Sequence, residues 1–226
     1  MGENSVKIEV WSDIVCPFCY MGKRHVELAK AQFPQNLDIQ MAYRSFELDP
    51  NATPSQHGNI HELLAHKYDT SVEQAQAMHN QVAERASQVG LVYRFDTMIS
   101  ANTFDAHRLA QFAKTQGKTA ELSERLFRAY FTDSLDIGDR TTLAGLAGEV
   151  GLSARDAMTV LESGAYGQEV RTDEREAAEL GIDGVPFFVI NEKYGISGVQ
   201  PVAIFSIRFA ADCRGELAFP LPTSHL

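Results

Sequence analysis

The sequence predicts an α/β fold in which the two ends of the chain build one mixed sheet around a large all-helical insertion. Three observations predict it. Two runs that alternate apolar and polar residues, "VKIEV" and "LDIQMAYRSF", flank a segment of helical spacing. A long tract after them carries helical patterns only. Strand character then returns at "VPFFVI", near the C-terminal end.

Residues 6–10 alternate and read as a strand. From Pro17 the spacing lengthens to that of a helix, with Met21, Val26, Leu28 and Ala29 as its apolar residues and Pro34 as its stop. Residues 37–46 give the second strand. Ser71 and Gln74 have capping-box spacing ahead of a helix that Gly90 ends. "SANTFDAHRLAQFAKTQG" offers Ser100, Asn102 or Thr103 as a cap and Gly117 as a stop. "TAELSERLFRAYF", "RTTLAGLAGEVG", "SARDAMTVLESG" and "GQEVRTDEREAAELG" each read as a further helix. Residues 185–190 are the returning strand, "NEKYG" a turn, "ISG" the strand beyond it, and a last helix runs from about Pro201 towards Cys213. "ELAFPLPTSHL" is a proline-containing tail. The predicted organisation is β-α-β over residues 1–54, an inserted helical domain over 55–178, and β-β-α over 179–226.

With 226 residues, 44% of them hydrophobic and 22% charged, the chain can bury a core without staples. Its formal net charge of -10 argues against a nucleic-acid backbone or an anionic membrane as partner, since either repels it. No apolar run reaches the length of a membrane span. "MGENSVKIEV" has neither a basic nor an apolar leader region, so an intracellular start is expected. Three cysteines are too few for a disulfide framework, so any disulfide is expected to be transient and either catalytic or sensory.

Two of those cysteines stand together in "WSDIVCPFCYMGKRHVELAK". Cys16 falls at a helix N-terminus, where unpaired N–H groups favour negative charge, and Pro17 suits the first helical position. Cys19 follows one turn later. This arrangement lowers a thiol pKa from about 8.5 into the range of roughly 3.5–7.5. Cys16 is therefore the candidate nucleophile and Cys19 the resolving thiol. A zinc site is the alternative use of the pair, but it needs two more ligands. "HGNIHELLAH" supplies His57, His61 and His66, yet His61 and His66 do not share a helix face, so no metal is expected. An inert core pair is less expected still, because Pro17 and the helix start would expose the first sulfur.

"VWSDIVCPFCYMGK", followed much later by "GIDGVPFFVINEKYGISGVQP", resembles the DsbA-like thioredoxin-fold family, and within it the FrnE-like cytoplasmic branch. The resemblance covers nearly the whole chain, including "ANTFDAHRLAQFA". It implies a thioredoxin-like fold, a cis peptide bond before Pro186, and a Val185 backbone free to pair with a substrate chain held against Cys16. It implies a cytoplasmic oxidoreductase or isomerase that exchanges disulfides with proteins or with glutathione. No bound cofactor is implied beyond the redox-active disulfide itself. Phe18 stands where DsbA has a histidine, so Cys16 is expected to be less acidic, and the couple more reducing, than in the strongest oxidants.

Asn102, His107 and Arg108 carry the family's helix pattern. Either they line a cleft, with His107 shuttling protons, or Asn102 caps a helix and His107 packs at the lobe interface. Asp13 either buffers protons or closes the turn before Cys16. Trp11 and Phe18 offer apolar surface around the sulfur, unless Trp11 belongs to the core. Cys213 matches no part of the pattern; a buried core thiol is expected, with a regulatory disulfide as the alternative. Two other functions resemble the same plan. Kappa-class glutathione transferases and 2-hydroxychromene-2-carboxylate isomerases share it but usually carry serine at the first-cysteine position. A redox-gated chaperone would use the pair as a switch.

Overall fold

The alternating run near the N-terminus becomes β1 (Ser5–Ser12), which turns Val6, Ile8 and Val10 to one face and Lys7, Glu9 and Trp11 to the other. A computed structural model describes residues 5–33, 38–53, 55, 56 and 58–213, without the side chains of Gln56 and of residues 211–213. The helix α1 (Pro17–Lys30) carries the chain back so that β2 (Asp38–Ser45) pairs parallel to β1. At the other end of the chain, β5 (Phe187–Ile190) adds antiparallel to β1, and β6 (Tyr194–Ser197) adds antiparallel to β5. The order β2-β1-β5-β6 makes one mixed sheet from both chain ends, as the sequence predicts. Pro34 and Leu37 lie outside the described residues, as does the C-terminal tail.

Between the two halves run α2 (Ile60–Tyr68), α3 (Val72–Ser87), α4 (Phe104–Thr115), α5 (Thr119–Phe131), α6 (Arg140–Glu149), α7 (Ala154–Ser163) and α8 (Gly167–Glu179). Ser71 and Gln74 form the capping box that their spacing predicts, each side chain bonding the other's backbone N–H. Two features have no sequence signal. A short ladder joins β3 (Ser55–Gln56) to β4 (Ser100–Ala101), and a single 3₁₀ turn covers Phe95–Thr97. The last helix, α9 (Val202–Cys213), matches expectation, but the Cys213 side chain lies outside what is described.

The sheet is covered on both faces. Val26 and Ala29 of α1 and Phe205 and Phe209 of α9 bury against Val6, Ile8, Val10, Phe188 and Ile190. Leu28, counted among the apolar helix residues, instead points outward, because α1 buries its Val26 and Ala29 side. The opposite face is closed by α8. Its Ala177 packs with Trp11, while the partly exposed Arg44 bridges buried Glu9 and Asp173 with contacts of 2.6 and 2.9 Å. On α1, Lys23 is buried between Glu27 and Glu124. The Tyr20 hydroxyl donates to Glu124 (2.7 Å), and its ring stacks on Phe127 of α5. These bonds tie the cysteine-bearing helix to the helical lobe.

Candidate active site

Cys16 is the N-cap of α1, with extended backbone (φ -87°, ψ 112°), and Pro17 takes the first helical position. The Cys16 N–H donates to the Asp13 carbonyl (3.2 Å) and the Cys19 N–H to the Cys16 carbonyl (3.0 Å). Both thiols are free, and their sulfurs lie within hydrogen-bonding reach of each other. Burial pushes the Cys19 thiol well above the ordinary range, and the Cys16 sulfur adds to the rise. The Ser12 hydroxyl and the Asp13 backbone oppose it.

The peptide bond between Val185 and Pro186 is cis. Both residues precede β5, so the returning strand begins two residues later than expected and the Val185 backbone stands outside the ladder. The Val185 carbonyl accepts from the Cys16 thiol at 3.5 Å. Gly22 permits this approach of α1 to the loop. A Cβ there would sit 3.2 Å from the Pro186 ring and 3.0 Å from that of Phe188.

The cysteine that the helix start was expected to expose is covered: Cys16 is 3% exposed and Cys19 2%. The cover is tertiary. The Tyr93 hydroxyl donates to the Pro17 carbonyl (2.7 Å), and Tyr93 stacks on Phe131 with ring centroids 4.5 Å apart. The half-buried Phe18 ring carries the Arg85 guanidinium over it at 5.5 Å. Tyr93 and Arg85 come from α3 and the segment after it, so nothing near the cysteines in sequence announces them.

The remaining candidates divide. Asp13 and His107 come together beneath the cysteine turn, where the His107 Nε2–H donates to Asp13 Oδ1 (3.2 Å) and the Leu48 N–H to Asp13 Oδ2 (2.8 Å). Both side chains are buried. Trp11 is core, not site: its indole N–H donates to the Asp173 carbonyl (2.9 Å), and Arg44 stacks on the ring. The alternation of β1 turns it to the α8 face. Thr103 holds the N-cap position of α4 without a side-chain bond, and Asn102 just before it serves the helix start: its Oδ1 accepts from the Phe104 N–H (2.9 Å), while its amide donates to the Pro50 and Ala52 carbonyls. Arg108 is buried against α7 rather than lining a cleft. Two residues of the site's surroundings carry no signal in the sequence. Ser12 lies just past the run 6–10 that the pattern picks out. Glu47 looks like an ordinary loop acid, and only its burial distinguishes it.

The histidines do other work. His61 Nδ1 lies 2.7 Å from His79 Nδ1, and His61 Nε2–H donates to Asp96 (2.9 Å); His66 is exposed and His57 lies outside the described residues. Among the described residues no group of three or more His, Cys, Asp or Glu is placed to hold a metal ion. Burial, then repulsion by His61, lowers His79 from 6.5 to about 4, against the pull of Asp96. The unfolded chain therefore takes up this proton first. The pair's contribution is complete above about pH 6.5 and is lost as pH falls towards about 4. His79→Phe, which keeps the stacking on Phe95, is expected to remove from this window a stability slope worth about 2 kcal/mol. Thermal melts of both proteins across the window check it, and equal slopes would place the loss elsewhere.

A two-thiol turn at a helix N-terminus, a cis-proline loop against the first sulfur, and a β-α-β/β-β-α sheet interrupted by helices now stand together. The family model of the DSBA-like thioredoxin domain matches residues 7–210. The chain belongs to that family. An uncharacterized protein of Bacillus subtilis (strain 168), YwbO, is 30% identical over 191 residues, covering 83% of this chain and 88% of that protein. A probable DsbA oxidoreductase from Streptomyces coelicolor is 38% identical, with a TM-score of 0.88 over 98% of this chain and 95% of that one. A 2-hydroxychromene-2-carboxylate isomerase shares the fold alone, at 14% identity and a TM-score of 0.67 over 92% of this chain and 97% of that one. The thioredoxin-like fold with its helical block is thus that of the DSBA-like oxidoreductases. Since the same fold serves an isomerase, the choice of chemistry rests on the side chains at the site.

Proposed function

We propose that this DSBA-like chain is a cytoplasmic thiol–disulfide oxidoreductase of the FrnE-like branch, exchanging disulfides with proteins or with glutathione. The observation that carries this reading is the pair of free thiols one turn apart at the N-terminus of α1, the first against the Val185 carbonyl. A sulfur anion at Cys16 meets the free N–H groups and positive end of the helix. It attacks a partner disulfide R–S–S–R, forms Cys16–S–S–R, and releases the other half as a thiolate. Cys19 then attacks the Cys16 sulfur, closing the Cys16–Cys19 disulfide and releasing the second R–S⁻. The partner disulfide gains two electrons and the dithiol loses two; run backwards, the same steps oxidise a partner. Val185 would offer its backbone to the partner chain as a short strand pairing, which reads backbone rather than sequence.

The glutathione-dependent isomerase alternative has the fold in its favour but gives Cys19 nothing to do. No described helix is long and apolar enough to cross a membrane. A cytoplasmic site of action rests on the FrnE-like motif and on Phe18, which leaves the couple without a histidine to favour strong oxidation. The test is the reduction potential of the couple, by equilibration against glutathione buffers with thiols trapped at each point. One two-electron transition between about -280 and -170 mV is expected, towards its reducing end. Thiols that stay unpaired throughout would sink the redox reading and favour glutathione-dependent isomerisation.

A further inference from the structure

The chain carries a formal net charge of -10, yet the helix that opens at its nucleophile has no acidic residue in its first turn. Most of the other helices do: Glu62, Glu73, Asp105, Glu121, Asp156 and Glu169 lie in the first turns of α2, α3, α4, α5, α7 and α8. The positive end of α1 is therefore left uncancelled at Cys16. Arg85 of α3 adds a full charge on the same side. Its guanidinium stands 5.5 Å from the centre of the Phe18 ring, two residues from the nucleophile. Val82, Ala83 and Val89, close to it in sequence, pack on the apolar cluster that contains Cys16. The end of α3 is thus the rim of the site.

Arg85 is exposed and has no acid of its own. With 30 acidic residues against 20 lysines and arginines, a partner is easy to find. Lys23 and Arg24 of α1 each meet both Glu27 and Glu124. Among the described residues no carboxylate forms an ion pair with Arg85, and its contact is the ring of Phe18. One turn to either side of it lie Gln81, Val82, Gln88 and Val89, none of which carries charge. Asp13, three residues before Cys16, is buried and already bonded to His107 and the Leu48 N–H. The ring contact engages the face of the guanidinium and leaves its N–H donors for a group that arrives from solvent.

We propose that Arg85 selects the disulfide partner by charge, receiving a carboxylate carried within a few bonds of the sulfur that Cys16 attacks. The inference rests on the oxidoreductase reading and narrows it to small acidic disulfides. The Cys16 thiolate bonds one sulfur of X–S–S–X, the S–S bond breaks, and its electron pair leaves with X–S⁻. The carboxylate of the half that stays is unchanged and lies against the guanidinium fork, whose geometry matches it. Arg85 forms and breaks no covalent bond; it determines specificity. The chain as a whole repels an acidic partner, so the local attraction at the end of α3 and the start of α1 sets where one can dock. A small partner also agrees with the cover over both sulfurs.

The test uses three disulfides of matched size: dithiodipropionate, hydroxyethyl disulfide and cystamine, which are anionic, neutral and cationic. The rate of mixed-disulfide formation at Cys16 is read by mass spectrometry, at low ionic strength, on the native protein, Arg85→Met and Arg85→Lys. Comparing the probes within each protein cancels any change in thiol reactivity that all three share. Arg85→Met is expected to lower the anionic-to-neutral rate ratio about threefold to fivefold and to raise the cationic-to-neutral one. Arg85→Lys keeps the charge and should keep most of the preference. Added salt should bring the native ratio towards that of Arg85→Met. Native ratios in Arg85→Met overturn the proposal, and so does an equal loss in Arg85→Lys, which would leave Arg85 only a packing role on Phe18. Iodoacetate and iodoacetamide, one anionic and one neutral, give the same comparison at Cys16 without any disulfide. A charge preference between these two in a protein that reacts with none of the three disulfides overturns the oxidoreductase reading, and the disulfide class with it.

Discussion

Cys16→Ser is expected to lower disulfide-exchange turnover by about three orders of magnitude or more, because a serine hydroxyl at this helix N-terminus neither ionises near neutral pH nor forms a mixed disulfide. Cys19→Ser should behave differently. Cys16 keeps its place as N-cap beside the Val185 carbonyl, so the first attack proceeds. The mixed disulfide then has no intramolecular thiol to resolve it and accumulates. Turnover assays with glutathione disulfide, and mass spectrometry of the trapped adduct, check both outcomes. The measurement separates the functions the sequence leaves open. A chaperone would go on holding unfolded clients after Cys16→Ser, and a glutathione-dependent isomerase would lose nothing with Cys19→Ser. The burial of both sulfurs adds a kinetic expectation: small disulfides should react faster than folded proteins, since the Tyr93 segment and the Val185 loop close over Cys16.

Arg108→Met is expected to cost about 3–5 kcal/mol of stability, with a fall in melting temperature of about 10 °C or more. Arg108 is 2% exposed, and its guanidinium holds four groups at once. Its Nε donates to the Ala165 carbonyl (2.7 Å), its Nη1 to Asp105 and to the Leu161 carbonyl (3.3 Å), and its Nη2 to the Val160 carbonyl. Val160 and Leu161 lie in the last turns of α7, where carbonyls have no partner in their own helix. A methionine fills the volume but leaves these oxygens and the Asp105 carboxylate without their donor. Cys16 reactivity at temperatures where the variant is folded should be unchanged, since Arg108 touches neither cysteine. Calorimetry together with the rate of Cys16 alkylation checks the pair of claims, and a melting temperature near that of the native protein would overturn the structural role.

Arg108 also marks the limit of what a helix pattern conveys. In "NTFDAHRL" the polar residues Asn102, His107 and Arg108 sit close together, and the pattern alone cannot apportion them. The fold gives each a different partner. Asn102 accepts from the Phe104 N–H at the start of α4, His107 reaches Asp13 beneath the cysteines, and Arg108 holds the end of α7. Residues one apart on a helix face different directions, so neighbours in sequence acquire unrelated contacts.

Legible in the amino-acid order were the strands of the main sheet, the helix that opens at Pro17, the capping box at Ser71 and the thiol pair at the α1 start. All of these are local. Alternation, helical spacing, a cap three residues from its partner and two thiols one turn apart act within a few residues, and their physics is written where they stand. Packing, by contrast, laid α8 over the polar side of β1 and buried Trp11 and Glu9 there. Packing also brought Tyr93 and Arg85 over the cysteine turn, and set Asp13 and His107 together beneath it. Tyr93 and Pro17 are 76 positions apart, Asp13 and His107 94, and Trp11 and Asp173 162. Each of these buried polar groups loses water on folding and is stable there only because its partner replaces that water. No short window of sequence contains both partners, so they meet only in the packed chain.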